Sequence, residues 1–228
     1  MDKQKSTPRR KFIQHIAAGA AALGFLSLPK TITAAPSLLE QQTSDADKWF
    51  DQIKGKHRIV FDATHPHETF PFAWPKVFLL TNQATGTPLK DNSVVVVLRH
   101  NAIPYAFNDN MWSKYKLGDV FKIDDPKSKI SSLRNPFSNP QHDDFVVPGL
   151  GPVAIGVNDL QKDGVMFCVC DMAMTVYSAV VAGQRNEQAS DVKKDWVANL
   201  LPGIMQVPSG VWAVGRAQEH GCKYCFVG

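Results

Sequence analysis

The sequence predicts an α/β fold: a three-layer αβα sandwich on a mostly parallel sheet of about five strands. Three observations predict it. Residues 93–99 hold four consecutive valines and Leu98, and residues 165–170 are apolar throughout. Apolar runs without polar alternation belong to strands covered on both faces, as in a parallel sheet. Stretches of helical character separate the strand-like runs, so the two kinds of element alternate. Gly164, Gly203 and Gly221 fall where helices must stop.

In chain order, residues 45–54 suit a helix with Trp49 and Ile53 four apart on one face. Residues 57–62 are a short β-prone run. Residues 69–82 open with Pro71 and Pro75, which predicts a loop leading into a helix that starts near Pro75, since a first turn tolerates proline. After the valine strand, His100-Asn101-Ala102-Ile103-Pro104 turns away, and residues 111–117 are helical in type. Residues 124–152 are rich in Pro, Ser, Asn and Asp and have little periodicity. So long an irregular segment in a compact domain is usually functional or disordered; we expect an insertion that covers or borders a site, or an oligomer contact. Further helices are expected over 153–163, 172–182, 191–200 and 209–220, and strands over 204–207 and 224–227.

The N-terminus carries an address. Ser6-Thr7-Pro8-Arg9-Arg10-Lys11-Phe12 precedes an apolar run from Ile16 to Leu28, and Thr33-Ala34-Ala35-Pro36 closes the segment. A basic head, an apolar middle and small residues before a cut site make a secretory signal, and the Arg-Arg pair gives it the bacterial twin-arginine form. The run is shorter than the ~20 residues that span a bilayer. The expected organisation is a signal at 1–35, a tether and short helix at 36–56, and an α/β domain at 57–228 with its insertion near 124–152. The destination is the periplasm or another exported compartment, with the twin-arginine export machinery as a partner. Lys3, Lys5, Arg9, Arg10, Lys11 and Lys30 stand against Asp2 in residues 1–35, so the formal +4 of the whole chain becomes about −1 without them. Nucleic-acid binding needs a clustered basic face, which the remainder does not display.

Ligands of open parallel sheets sit at the carboxyl ends of the strands. Three strand-like runs end in reactive residues: the first leads to His65-Pro66-His67-Glu68, the valine strand to His100-Asn101, and the third stops at Cys170. Cys170 would sit where a strand hands over to a helix, whose free backbone N–H groups favour an anion; the thiolate is the nucleophilic form. The competing reading is a buried structural cysteine. Cys168, inside the strand, reads as core. Cys222 and Cys225 have redox or zinc spacing but enter a strand, where residues three apart face opposite ways. Export permits disulfides, and four cysteines allow three full pairings. His65, His67 and Glu68 suit zinc or copper, or else a solvated loop; His100 is an acid, base, ligand or structural histidine. Trp74, Phe72, Phe78 and Trp112 read as core.

Several segments resemble the DsrE/DsrF-like sulfur-handling family. Phe167-Cys168-Val169-Cys170-Asp171-Met172-Ala173-Met174 resembles its strand–cysteine–helix segment. Leu200-Leu201-Pro202-Gly203 and Val207-Pro208-Ser209-Gly210-Val211 resemble its leucine-proline-glycine and valine-proline-glycine stretches, and Gly221 with Tyr224 its last strand. The resemblance spans most of 57–228 outside the long loop. It implies an α/β fold, a homo-oligomer, and Cys170 as the carrier of sulfur, held as a persulfide or exchanged with a donor or acceptor protein. His65, His67, His100 and Asn101 would bind or orient the ligand. No cofactor is fixed beyond cysteine-bound sulfur. The chain departs from the family in Cys168, Cys222, Cys225, the long loop and the export signal. An alternative expectation is a non-catalytic periplasmic binding protein for a metal, a haem-like cofactor or a partner protein.

Overall fold

A computed structural model describes residues 45–149 and 151–228; the expected signal and most of the tether lie outside the described residues. Five strands, β1 (His57–Ala63), β2 (Asn92–Leu98), β5 (Val165–Cys170), β6 (Ile204–Val207) and β7 (Lys223–Val227), form one sheet in the order β6-β5-β2-β1-β7. Every neighbouring pair is parallel. A two-residue ribbon, β3 (Val146–Val147) with β4 (Gly151–Pro152), lies in the long loop.

The valine strand lies at the centre because its side chains are apolar on both faces. Val94 to Leu98 are all 0–1 % exposed. Phe61, Val94, Val96, Leu98, Phe167 and Val169 pack into one core, and Val60, Val95, Val97 and Cys168 into another, as alternation along a strand requires. The first core is covered by α1 (Phe70–Ala84), α4 (Val157–Lys162), α5 (Asp171–Arg185) and α6 (Ala189–Ala198). The second is covered by the helical segment 45–50 and α7 (Gly210–Glu219). The sandwich is therefore αβα.

Three local expectations differ from what is found. Helix α1 starts at Phe70: Pro71 occupies the first turn, where its missing N–H is not needed, and buried Pro75 lies inside the helix. Helix α4 is shorter than 153–163, because Val153 donates to the Phe145 carbonyl, 2.9 Å, and the helix begins only after Gly156. The helical stretch at 111–117 is instead two helices, α2 (Asp109–Tyr115) and α3 (Leu117–Phe121), with Lys116 between them in the left-handed region at φ 50°.

The long loop is packed. Phe137 stacks on Phe72 at 3.9 Å and on Phe145 at 4.7 Å between ring centroids. Asn135, 1 % exposed, donates to the Tyr105 and Phe107 carbonyls and accepts from the Phe137 N–H. Arg134 bridges Asp125 and Asp144 at 2.8 and 3.0 Å. Among the described residues no helix is long and apolar enough to cross a membrane.

Candidate functional site: the carboxyl rim of the sheet

The rim has two banks. The first lies on the α7 face. Val97 and Cys168 pair in register, as do Leu98 and Val169, so the next residues, Arg99 and Cys170, leave neighbouring strands side by side; Cys170 packs with the first core, while Arg99 turns to the α7 face. Asp62 of β1 shares it. The Arg99 guanidinium grips Asp62 side-on, Nε to Oδ1 at 2.6 Å and Nη2 to Oδ2 at 2.8 Å, and the Tyr224 hydroxyl donates to the same Oδ2 at 2.9 Å. Asp62 is 2 % exposed; a buried carboxylate needs such pairing. Hydrogen bonding to Asp62 holds the Arg99 pKa above its ordinary value against partial burial, and the charges of Asp62, Tyr224 and Cys170 add to this. Gly210, the first residue of α7, lets that helix approach the Arg99 stem: a Cβ there would stand 2.5 Å from Arg99 Cβ.

Cys170 ends β5 and caps α5. Its Sγ accepts from the Ala173 N–H at 3.2 Å, satisfying one of the N–H groups that a helix start leaves free. The residue is 6 % exposed. Asp171, next in the chain, accepts from Gln206 at 2.7 Å and pairs with Lys193 at 2.9 Å. Those bonds fix the start of α5 and with it the cap.

The second bank lies on the α5 face. Asn101 donates its backbone N–H to the Thr64 carbonyl, 3.0 Å, which holds the exit of β2 beside that of β1. The His65 and His100 rings meet edge to face with centroids 5.4 Å apart, both on exposed residues. The Thr64 hydroxyl is 2.7 Å from His65 Nδ1. Tyr177 of α5 donates to Asn101 Oδ1, and its hydroxyl lies 3.3 Å from His100 Nδ1. Partial desolvation of its ring, then the His65 imidazole and the Arg99 cation, push His100 below the ordinary histidine value, although the residue as a whole is exposed. Burial pushes the Tyr177 phenol up to about 12, so it stays a neutral donor. His100 sits at φ 51°, a left-handed conformation rare outside glycine that marks sites over-determined by their surroundings.

The structure thus gathers Cys170, His65, His100 and Asn101 along one rim, while His67 packs its ring against Phe70 at 4.9 Å. All four cysteines are free. Cys222 lies in the α7-side core and Cys225 packs toward the other, opposite faces as a strand dictates. Cys168 is fully buried and burial pushes its thiol up. Among the described residues no group of three or more His, Cys, Asp and Glu side chains comes together to hold a metal ion. Two surface hollows of about 310 and 350 Å³ lie at the opposite end of the sheet, around Lys54, Lys56, Arg58 and Lys223, and include no rim residue.

Asp62, Arg99, Tyr177 and Tyr224 were not among the site residues expected from sequence. One signal was available: an acid near the end of one apolar strand and an arginine directly after the next. Parallel pairing of those strands brings the two together.

The fold and rim define an open α/β protein whose strand ends carry a capped cysteine, a fixed cation and two imidazoles. In comparisons with known proteins, no family model and no curated protein matches the chain.

Proposed function

We propose that this chain is an exported sulfur-handling protein of the DsrE/DsrF-like kind, in which Cys170 carries sulfur as a persulfide or exchanges thiols. The observation that carries the reading is the place of the Cys170 sulfur: at the N-terminus of α5, accepting the Ala173 N–H at 3.2 Å, one residue past the Val169–Leu98 pair after which the neighbouring strand gives way to Arg99. In the transfer step the Cys170 thiolate attacks the outer sulfur of a donor persulfide R–S–SH. A Cys170–sulfur bond forms, the donor's S–S bond breaks, and R–S⁻ leaves to take a proton; nothing is oxidised overall. His100, whose affinity for a proton is lowered, is a base on the same rim. His65 and Asn101 orient it and the incoming group. Self-association belongs to the same reading and is supported by the exposed Met172, Val176 and Val180 on α5.

The test is intact-mass measurement of the mature protein, residues 36–228, after incubation with glutathione persulfide. One added sulfur atom per chain is expected, and none on Cys170→Ser. Serine is itself a favoured helix cap, so the variant keeps the fold. An adduct that persists in Cys170→Ser, or a wild-type thiol that stays unmodified, overturns the reading. A second reading, metal binding by the His65–His100 pair, is favoured by their 5.4 Å approach. Elemental analysis of protein from its native host tests it: a metal lost in His100→Ala supports it, and a metal-free sample does not.

A further inference from the structure

We propose that Arg99 is a specificity-determining residue that draws anionic reagents to Cys170, and that the partner molecule of this rim is a negatively charged sulfur compound. The proposal rests on the reading of Cys170 as the reacting thiol and adds to it the charge of what is received.

A guanidinium offers five N–H donors. Asp62 takes one from Nε and one from Nη2. Among the described residues Nη1 has no partner, and 27 % of the side chain remains exposed. One edge of the fork is therefore spent on position and the other is open. The stem cannot swing toward α7, because Gly210 already approaches Arg99 so closely that a Cβ would meet its Cβ at 2.5 Å and its Cδ at 2.6 Å. Tyr224 adds a third hydrogen bond to the carboxylate that anchors the fork.

The parallel pairing runs to Leu98 beside Val169, so Arg99 and Cys170 leave adjacent strands side by side, and Cys170 is among the charges that act on the Arg99 guanidinium. An anion arriving at the sulfur passes the open edge of a guanidinium, the side chain whose planar donors suit carboxylate, sulfonate and phosphate oxygens. Near the thiol the described carboxylates are engaged: Asp62 by Arg99, and Asp171 by Lys193 and Gln206. The class of substrate that fits bears a carboxylate or sulfonate and is either a small persulfide, attacked at its outer sulfur, or a thiosulfonate, attacked at its sulfenyl sulfur.

Charge-matched thiosulfonates test this without using sulfur transfer. The thiolate attacks the sulfenyl sulfur of R–S–SO₂–CH₃, a Cys–S–S–R bond forms, and methanesulfinate leaves. Modification rates at Cys170 are read by peptide mass mapping with the anionic sulfonatoethyl and the cationic trimethylammonioethyl reagents, which are similar in size. In the wild type the anionic reagent is expected to react faster. In Arg99→Gln the anionic-to-cationic ratio should fall about tenfold, the scale of one charge acting at close range through partly solvated protein. Arg99→Lys keeps the charge and should retain most of the ratio, and a thermal melt of each variant reports folding. An unchanged ratio in Arg99→Gln, or an equal loss in Arg99→Lys, overturns the proposal even if Cys170 still loads sulfur from glutathione persulfide. A Cys170 that reacts with neither reagent overturns it and the sulfur-carrier reading together. Selective labelling without sulfur loading leaves Arg99 its role and removes only the sulfur assignment.

Discussion

Replacing Gly210 with alanine tests the packing that fixes the rim. Alanine is the better helix former, by about 1 kcal/mol in a helix interior and less in a first turn, so helix propensity alone expects a gain. The structure expects a loss. The new Cβ would lie 2.5 Å from Arg99 Cβ, 2.6 Å from Cδ and 3.1 Å from Cγ, and the nearest of these is bonded to backbone and cannot swing clear. Overpacking of this kind costs roughly 1–3 kcal/mol. Displacing the stem also stretches the 2.6 Å bond to Asp62, and a hydrogen bond to a charged group contributes about 1.5–3 kcal/mol. If part of that bond survives and the helix gain is subtracted, Gly210→Ala should destabilise the domain by about 2–3 kcal/mol. Urea unfolding followed by tryptophan fluorescence measures it as a lower midpoint at unchanged slope. A double-mutant cycle isolates the cause: in an Arg99→Gly background the obstructing atoms are gone, and Gly210→Ala should become neutral or stabilising. A wild-type background in which Gly210→Ala raises stability, or a cost that persists in Arg99→Gly, refutes the close-approach argument.

Other consequences follow from the same geometry. Asn135→Ala removes three buried bonds, two of which tie the long loop to the Tyr105 and Phe107 carbonyls, and should cost about 2–3 kcal/mol in thermal or urea unfolding; a change within error would show that these bonds do not hold the loop. NMR titration should place the His100 midpoint below the ordinary histidine value of 6.5, and Arg99→Gln should raise it by removing one of the lowering charges. Because the unfolded chain binds that proton more readily, His100 contributes stability that is present above about pH 6.5 and is lost as the pH falls toward its folded midpoint. Asp125 and Asp144 are held below the ordinary aspartate value of 3.8 by backbone N–H groups and by Arg134, against their burial. Their contribution is present above 3.8 and lost as the pH falls through their folded values, so hydrogen exchange across 124–152, corrected for intrinsic rate, should accelerate on acidification before the sheet opens.

Much of the frame was legible because it is written in local composition. Four successive valines have nowhere to go but a central strand, and Val165–Cys170 is the same statement made again. The helix entries were harder. Pro75 looked like a first-turn proline, but Pro71 already fills that role, and two prolines four apart give no local sign of which begins the helix. At the rim, the sequence pointed to residues whose chemistry is conspicuous, Cys170, His65 and His100, and it passed over the residues that hold them. Asp62 and Arg99 are 37 residues apart and Asp62 and Tyr224 162 apart. Their meeting depends on which strand lies beside which, and on registry to a single residue. The expectation for His67 illustrates the converse: alternate histidines around a proline look like a pair, but the turn through Glu68 at φ 49° turns the second toward Phe70.

The two banks of the rim follow from one property of β2. Successive residues leaving a strand face opposite sides, so Arg99 turns to the α7 face, where Asp62 and Gly210 hold it, and His100 turns to the α5 face, where Tyr177 meets it. A single strand exit thereby supplies a permanent cation to one side of the sheet edge and a titratable imidazole to the other, one residue apart. The cation cannot be turned off by pH and suits the attraction of an anion. The imidazole lies close enough to feel that cation as a lowering influence, so its proton affinity reports the state of the first bank. Occupation of Arg99 by an anion would cancel part of that influence and raise the His100 midpoint, so the imidazole would take up a proton when an anion arrives. Measuring the His100 midpoint with and without saturating ethanesulfonate decides whether the banks are coupled: a rise in the wild type that vanishes in Arg99→Gln is expected, and an identical midpoint in both conditions would mean that they act independently.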